Sequence, residues 1–160
     1  MKRTRYTAVL SLALMTTVFT TLLPQAASAD ESGQCREEEG NLKHELGEWK
    51  EAYELLWPCM KLDSTKGITL YRLGDHVGLG RHGDIKSKRF RRLRQQGLYL
   101  LAALKGYGPG VRRIAEAMEA KFKYSGDLES KRTGECLRGS LLIAEAVRRP
   151  VVMNCLKIKP

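Results

Sequence analysis

The chain has 160 residues and is strongly basic, with 28 lysines and arginines against 18 acidic residues and a formal net charge of +10 at pH 7. This length leaves room for one ordinary domain with a single hydrophobic core. No segment after residue 30 is long and apolar enough to cross a membrane, so the composition excludes a membrane-spanning main body.

The N-terminal segment has the pattern of a cleavable secretory signal. Three basic residues precede an apolar run over residues 8–23, and Ala-Ser-Ala at 27–29 is typical of a signal-peptidase site. The apolar run is shorter than the roughly 20 residues that a membrane anchor needs, which disfavours that alternative. We therefore expect residues 1–29 to be removed and residues 30–160 to form one periplasmic or secreted domain.

Charge is distributed unevenly along the remaining chain. The signal carries three of the 28 basic residues and no acidic one, so the rest has a net charge of +7. Residues 30–54 contain nine acidic and three basic residues, whereas residues 81–160 contain 19 basic and seven acidic ones. The sequence therefore predicts an acidic head and a basic body.

Apolar residues recur at intervals of three and four, which is the spacing of amphipathic helices. Alternating β-branched runs are missing, and only residues 67–73 could pass for a strand. The last helix is expected to end before Pro150, because proline breaks the helical hydrogen-bond ladder. We predict six helices, over residues 34–45, 48–61, 66–77, 84–104, 110–124 and 130–148.

A turn sequence is repeated along the chain. Gly-Asp-Ile-Lys-Ser-Lys-Arg at 83–89 recurs as Gly-Asp-Leu-Glu-Ser-Lys-Arg at 126–132, and a looser copy starts at Gly47. Each copy places a helix-ending glycine before an acid suited to the next helix N-terminus. Spacings of 36 and 43 residues are typical of stacked helical hairpins. The predicted fold is all-α: stacked antiparallel helical hairpins, or a short α-solenoid, with two disulfides.

The four cysteines, Cys35, Cys59, Cys136 and Cys155, all follow the signal and would reach a compartment where thiols oxidise. Two disulfides are expected, with three possible connectivities. If the first two predicted helices form an antiparallel hairpin, Cys35 and Cys59 lie at the same end of it. An extended segment after Pro150 would bring Cys155 back to Cys136, so we favour local pairing. No two cysteines lie within 15 residues of each other, which disfavours zinc.

Two stretches resemble a helical-repeat family. Residues 46–58, Leu-Gly-Glu-Trp-Lys-Glu-Ala-Tyr-Glu-Leu-Leu-Trp-Pro, resemble the central turn and second helix of a tetratricopeptide or Sel-one-like repeat. Tyr-Arg-Leu-Gly at 71–74, with the glycines at 78 and 80 and Asp84, is similar to the Leu-Gly, Gly-x-Gly and Asp positions of the Sel-one-like pattern. The resemblance covers about residues 40–132. It implies a superhelical scaffold that binds other proteins on a concave face, without chemistry of its own.

Two patterns raise the possibility of cofactor or metal binding. Gly-Leu-Gly-Arg-His-Gly at 78–83 formally matches the dinucleotide fingerprint, but no strand precedes it, so we interpret it as a turn between helices. The three histidines, His44, His76 and His82, are interpreted as solvated surface residues. The alternative is a metal shared by His76 and His82.

The acidic run at 37–39, with Glu45 and Glu48, is interpreted as a solvated helix face. Its alternative, a carboxylate pair for glycoside cleavage, requires one acid buried in a cleft. The sequence therefore predicts no catalytic residue, no cofactor and no resident metal.

Residues 81–94 form the most basic segment, with seven cations opposed by Asp84 alone. On a helix, Lys88, Arg91 and Arg92 share one face, and we predict that they contact a partner. Export favours an acidic protein, an anionic envelope polymer or lipid head groups over nucleic acid. The alternative is that these cations neutralise the acidic head within the same molecule.

These features favour a non-enzymatic helical-repeat protein that binds a protein partner as a scaffold or adaptor. The competing hypothesis is a periplasmic immunity or inhibitor protein that neutralises a toxic envelope-targeting enzyme. Charge complementarity would then raise its rate of association with that enzyme.

Overall fold

The computed structural model describes residues 34–81 and 87–158. They belong to a compact unit spanning Ser32–Pro160, and the predicted signal over residues 1–29 lies outside the described residues. The described residues are all-α with two disulfides, as predicted. A 3₁₀ helix, Trp57–Lys61, follows the second α-helix directly. The α-helices, α1 to α7, are Glu37–Glu45, Trp49–Leu56, Gly67–Gly78, Lys88–Leu104, Gly108–Ser125, Leu128–Ser140 and Glu145–Cys155.

Helices that follow one another in the chain pack as antiparallel neighbours. Between α3 and α4, a Cβ atom on Gly67 would lie 3.2 Å from the Ala102 carbonyl oxygen, and one on Gly74 would lie 2.7 Å from the Tyr99 ring. Residue numbers thus rise along α3 as they fall along α4. The α1–α2, α4–α5 and α5–α6 pairs are likewise in contact. This arrangement fits the predicted stack of helical hairpins.

The repeated turn is a helix junction where the structure describes it. Gly126 ends α5 with a φ of 71°, in the left-handed region that glycine adopts without strain. Asp127 then caps α6, because its carboxylate accepts the Glu129 amide at 3.1 Å. Gly47, in the looser copy, also has a positive φ, of 79°, between α1 and α2. In the copy at 83–89, residues 83–86 lie outside the described residues.

Two apolar clusters form the core, and α4 supplies side chains to both. The first contains Tyr53, Leu56, Leu70, Leu73, Val77, Leu98 and Ala102. The second contains Tyr99, Ala103, Val111, Ile114, Ala115, Leu137, Val152 and Cys155. All four α4 residues in these clusters come from the C-terminal half of that helix. The N-terminal half of α4 therefore lies outside the core.

The helix α1 contributes no side chain to either cluster. Gly40 is its only buried residue, and it approaches Leu56 closely. Polar contacts hold the rest of the helix: Asn41 donates a side-chain hydrogen bond to Thr69 at 2.8 Å, and Arg72 donates to the Asn41 carbonyl at 2.9 Å. A disulfide anchors the start of α1, so this helix depends on covalent and polar attachment.

Both disulfides have the predicted local connectivity. Cys35, just before α1, pairs with Cys59 of the 3₁₀ helix across a Cα separation of 4.6 Å. Cys136 of α6 pairs with Cys155 at the end of α7 across 5.7 Å. These separations lie within the usual range for disulfides.

The prediction of a single final helix over residues 130–148, followed by an extended segment, is wrong. The helix α6 ends at Ser140, and after a turn α7 runs through Pro150 to Cys155. Pro150 is exposed, and its only missing hydrogen-bond donor is its own backbone N–H. In the turn that follows it, Val152 and Cys155 are buried in the core. Tertiary packing therefore outweighs the local cost of proline. The other predicted helices occur with boundaries shifted by a few residues.

No helix among the described residues is long and apolar enough to cross a bilayer.

Candidate binding surface

The N-terminal half of α4 forms a surface that is both basic and apolar. Phe90 and Leu93 are 66% and 56% exposed, although both are large apolar side chains. Lys88 and Arg92 are exposed on the same half of the helix. Leu98 is the first residue of α4 to enter the core, so the large apolar side chains of the preceding turns remain exposed. We call residues 88–94 the basic surface.

The structure separates the three residues that the sequence placed together. Lys88 and Arg92 are exposed, but Arg91 is half-buried and packs against Gly80 at the end of α3. Phe90 and Leu93, whose large apolar side chains an amphipathic helix would normally bury, are exposed as well. The reason is that the N-terminal half of α4 contacts α3 through Arg91 and Gln95 rather than through apolar residues.

The acidic residues of α1 and of the turn after it have partners outside the basic surface. Glu37 accepts the Lys66 amide at 2.8 Å and the Thr69 hydroxyl at 2.6 Å, at the start of α3. Glu45 pairs with Arg72 at 2.8 Å. Glu39 and Glu48 pair with Arg36 and Lys43, within the acidic head itself. The described partners of these acidic residues therefore lie either in the head or in α3 and the residue before it. The described residues contain no ion pair between this acidic head and α4, so the interpretation of the basic helix as its neutralising partner has no support among them.

The interpretation of the acidic run as a solvated face is wrong for Glu37. It is half-buried, and it satisfies a backbone amide and a hydroxyl at the first turn of the neighbouring helix. A carboxylate in this position stabilises a helix N-terminus. It therefore has a structural role, and the sequence contained no signal for it because the two helices are far apart in the chain.

Two arginines, one of them in the basic surface, lie over tryptophan rings. The Arg94 guanidinium is 4.8 Å from the Trp57 ring centroid, and the Arg81 guanidinium is 3.9 Å from that of Trp49. Each contact is in the range of a cation–π interaction. The contact with Trp57 thereby fixes the position of the Arg94 side chain within the basic surface.

Two of the histidines are not solvated, so that interpretation is wrong for them. His76 is fully buried in α3, and its Nε2 lies 3.1 Å from the Nδ1 of the half-buried His44. His76 shares its helix face with the buried Leu73 and Val77, a spacing that could have identified it as a core residue. His82 lies outside the described residues. Within those residues, no group of three or more potential ligands could hold a metal ion.

The free energy of unfolding should fall as the pH drops below about 6.5, the ordinary pKa of histidine. Burial, together with the neighbouring Arg72 and Arg81, lowers the pKa of His44. Between the two pKa values, the unfolded chain therefore binds a proton at His44 more readily than the folded protein does. The contribution of neutral His44 to the free energy of unfolding is complete above about pH 6.5 and is lost as the pH falls towards the lowered pKa. Urea unfolding between about pH 7.5 and pH 5.5 measures this slope while most carboxylates remain ionised.

His44→Gln is the matched variant for this measurement. Glutamine does not titrate, and its side-chain amide retains the capacity to hydrogen-bond His76. The unfolding free energy of the variant should depend less on pH over this range. Equal slopes for the two proteins would show that His44 does not carry the effect.

A cleft of about 420 Å³ lies where α3, α4 and α5 meet. Its polar residues include Asp75, Gln95, Tyr99 and Arg113. The Tyr99 hydroxyl donates to Asp75 Oδ1 at 2.5 Å and accepts from Gln95 Nε2 at 2.8 Å. Burial raises the pKa of Tyr99 well above its usual range, and so does its hydrogen bond to Asp75. The hydroxyl therefore remains a donor at physiological pH.

Sequence reasoning missed this cleft. Asp75 and Tyr99 are 24 positions apart on different helices, and no motif links them. Only the close approach of α3 and α4 at Gly74 brings the two side chains together. A glycine inside a helix, here Gly74, can indicate close approach of a second helix, and this was the available sequence signal for the contact next to Asp75.

No protein-family model, no curated protein and no solved structure matches this chain. Fold and surface together define the class of the described residues: an all-α, disulfide-bonded unit with an exposed basic and apolar helix face.

Proposed function

We propose that this chain is an exported, non-enzymatic helical-repeat protein that binds an acidic protein partner through the basic surface on α4. The observation that carries the proposal is the exposure of Phe90 and Leu93 among cations that have no ion pair with a described acid. Apolar residues supply contact area, while unpaired cations supply attraction and orientation. An acidic protein surface with an apolar centre complements both features.

The same proposal includes export from the cytoplasm and a relationship to helical-repeat scaffolds. The signal pattern in the sequence supports export, and so does the pairing of all four cysteines, because disulfides persist in oxidising compartments. The antiparallel packing of successive helices supports kinship with Sel-one-like and tetratricopeptide repeats.

An immunity or inhibitor protein is the second candidate. The two disulfides and the single compact unit favour it, because a rigid, preorganised surface loses little entropy on binding. The partner would then be a toxic envelope-targeting enzyme with an acidic region around its active site. Both candidates place the contact on the same basic surface.

Reversing the charge of Lys88, Arg89 and Arg92 to glutamate should weaken partner binding by at least about tenfold. Arg91 is left unchanged because it packs against Gly80. Exposed charges contribute little to stability, so the melting temperature should barely change. Capture from envelope extract, followed by identification and affinity measurement of the bound protein at rising salt, tests the effect; screening should weaken wild-type binding.

The matched control reverses Arg112, Lys123 and Arg132, three exposed cations with no ion pair among the described residues. It changes the net charge by the same amount and should retain the partner. Equal loss in both variants would show that only net charge matters. Retention of every partner by the α4 variant would exclude this surface, and capture of anionic vesicles or envelope polymer alone would replace the protein partner with a polyanion.

A further inference from the structure

The cleft between α3, α4 and α5 contains a carboxylate that has no ion pair with any described cation. Asp75 is half-buried, and although the chain is strongly basic, no described lysine, arginine or histidine forms an ion pair with it. Its Oδ1 accepts the Tyr99 hydroxyl, which fixes the orientation of the carboxylate. The remaining acceptor capacity of the carboxylate is available to a ligand.

A cation lies on the same cleft. Arg113 of α5 is exposed, and its guanidinium is 5.9 Å from the centroid of the Tyr99 ring. It forms one long ion pair, of 3.5 Å, with the exposed Glu116, and a side-chain hydrogen bond with Tyr71. A guanidinium has five donors, so it can also bind a carboxylate of a ligand. The cleft thus presents an anion and a cation, with the Tyr99 ring beside both.

An apolar cavity of about 380 Å³ adjoins the cleft and shares Gln96 and Ala117 with it. Leu100, Ile114 and Met118 line this cavity, and a Cβ atom on Gly97 would meet nothing within 4 Å. Ligand sites typically combine such apolar walls with a few fixed polar groups, in volumes of about 300–1,000 Å³. The two adjoining spaces together offer charged groups and apolar walls to a small molecule with a charged end and an apolar end.

We propose that this cleft binds a free α-amino acid with an apolar side chain. Its ammonium group would contact Asp75, its carboxylate would contact Arg113, and its side chain would enter the cavity beside Gly97. A polyanion would be repelled by Asp75, and a simple organic cation would be repelled by Arg113. Only a ligand that carries both charges satisfies both groups. The site is separate from the basic surface, since it uses the middle of α4.

Calorimetric titration of the disulfide-bonded protein with L-leucine tests the proposal, without need of a protein partner. L-leucine should bind, whereas leucinamide, which lacks the carboxylate, and N-acetyl-leucine, which lacks the ammonium group, should each bind at least about tenfold more weakly. Equal binding of leucinamide and leucine would assign the cleft to the amino terminus of a peptide and overturn the proposal. No binding of L-leucine at millimolar concentration would also overturn it.

Three variants locate the binding. Asp75→Asn keeps an acceptor for Tyr99 but removes the charge, and it should weaken leucine binding at least about tenfold. Arg112→Gln, beside Arg113 but outside the cleft, should leave binding unchanged. Gly97→Leu should fill the apolar cavity and weaken leucine binding more than glycine binding. Unchanged affinity in Asp75→Asn, with the protein folded by circular dichroism, would exclude this cleft.

Discussion

Replacing Arg148 with methionine should lower the free energy of unfolding by about 3 kcal/mol. Arg148 is only 8% exposed, and its guanidinium donates to three backbone carbonyls, of Gly106 at 2.8 Å, Ser140 at 3.1 Å and Ile143 at 2.7 Å. These carbonyls belong to the α4–α5 turn and to the α6–α7 turn. Methionine fills similar space without a donor, so acceptors shielded from water would lose their partner.

Arg149→Met is the matched control, because Arg149 neighbours Arg148 but is exposed. Its effect should stay within about 0.5 kcal/mol. Arg148→Lys should fall between the two, since lysine keeps the charge but cannot reach three carbonyls with one planar group. Urea unfolding measures all three variants. Equal stability of the Arg148 and Arg149 variants would show that the guanidinium does not hold the two turns together.

The same substitution at two glycines should have opposite effects. Gly110→Ala should destabilise the protein by about 2–3 kcal/mol. A Cβ atom there would lie 2.8 Å from the Ala102 Cβ and 2.9 Å from the Ala103 nitrogen, and neither atom can move without shifting α4. Gly97→Ala should instead stabilise the protein by about 0.5–1 kcal/mol, because alanine favours a helix and the position is open.

Melting temperatures of the two alanine variants, with their urea midpoints, measure this contrast. Each variant is the control for the other, since the chemical change is identical and only the packing differs. If both variants were stabilised, the α4–α5 interface would have to be looser than the close approach at Gly110 indicates. If both were destabilised, Gly97 would have a neighbour that the structure does not place there.

Local sequence signals predicted most of the fold. Apolar spacing located the helices because a helix that packs on one side must repeat its apolar residues every three to four positions. The turn at Gly126 and Asp127 was predictable since its two residue types have separate local roles, as a left-handed end and as a cap. The Cys35–Cys59 disulfide followed from hairpin geometry, because antiparallel helices bring the ends of a local loop together. The Cys136–Cys155 pairing was also predicted, but from an extended segment where the structure has the helix α7.

The features that the sequence did not predict depend on contacts between distant residues. Pro150 lies inside α7 because the core retains Val152 and Cys155. The spacing of His76 places it on the apolar face of α3, but its contacts with Trp49 and Tyr53 depend on how α3 packs against α2. The pairing of Asp75 with Tyr99 likewise depends on the distance between α3 and α4. Sequence patterns describe one helix at a time, and these features arise between helices.

The attachment of α1 has a consequence for how the protein matures. Because this helix buries only Gly40, the Cys35–Cys59 disulfide and a few polar contacts replace the apolar packing that fixes the other helices. While the thiols are reduced, α1 should open by local unfolding at a far smaller free-energy cost than the core. Once the disulfide forms, it restricts the conformations of the locally unfolded state and so makes this opening less favourable. We therefore expect the acidic helix α1 to become fully fixed only in a compartment where disulfides form.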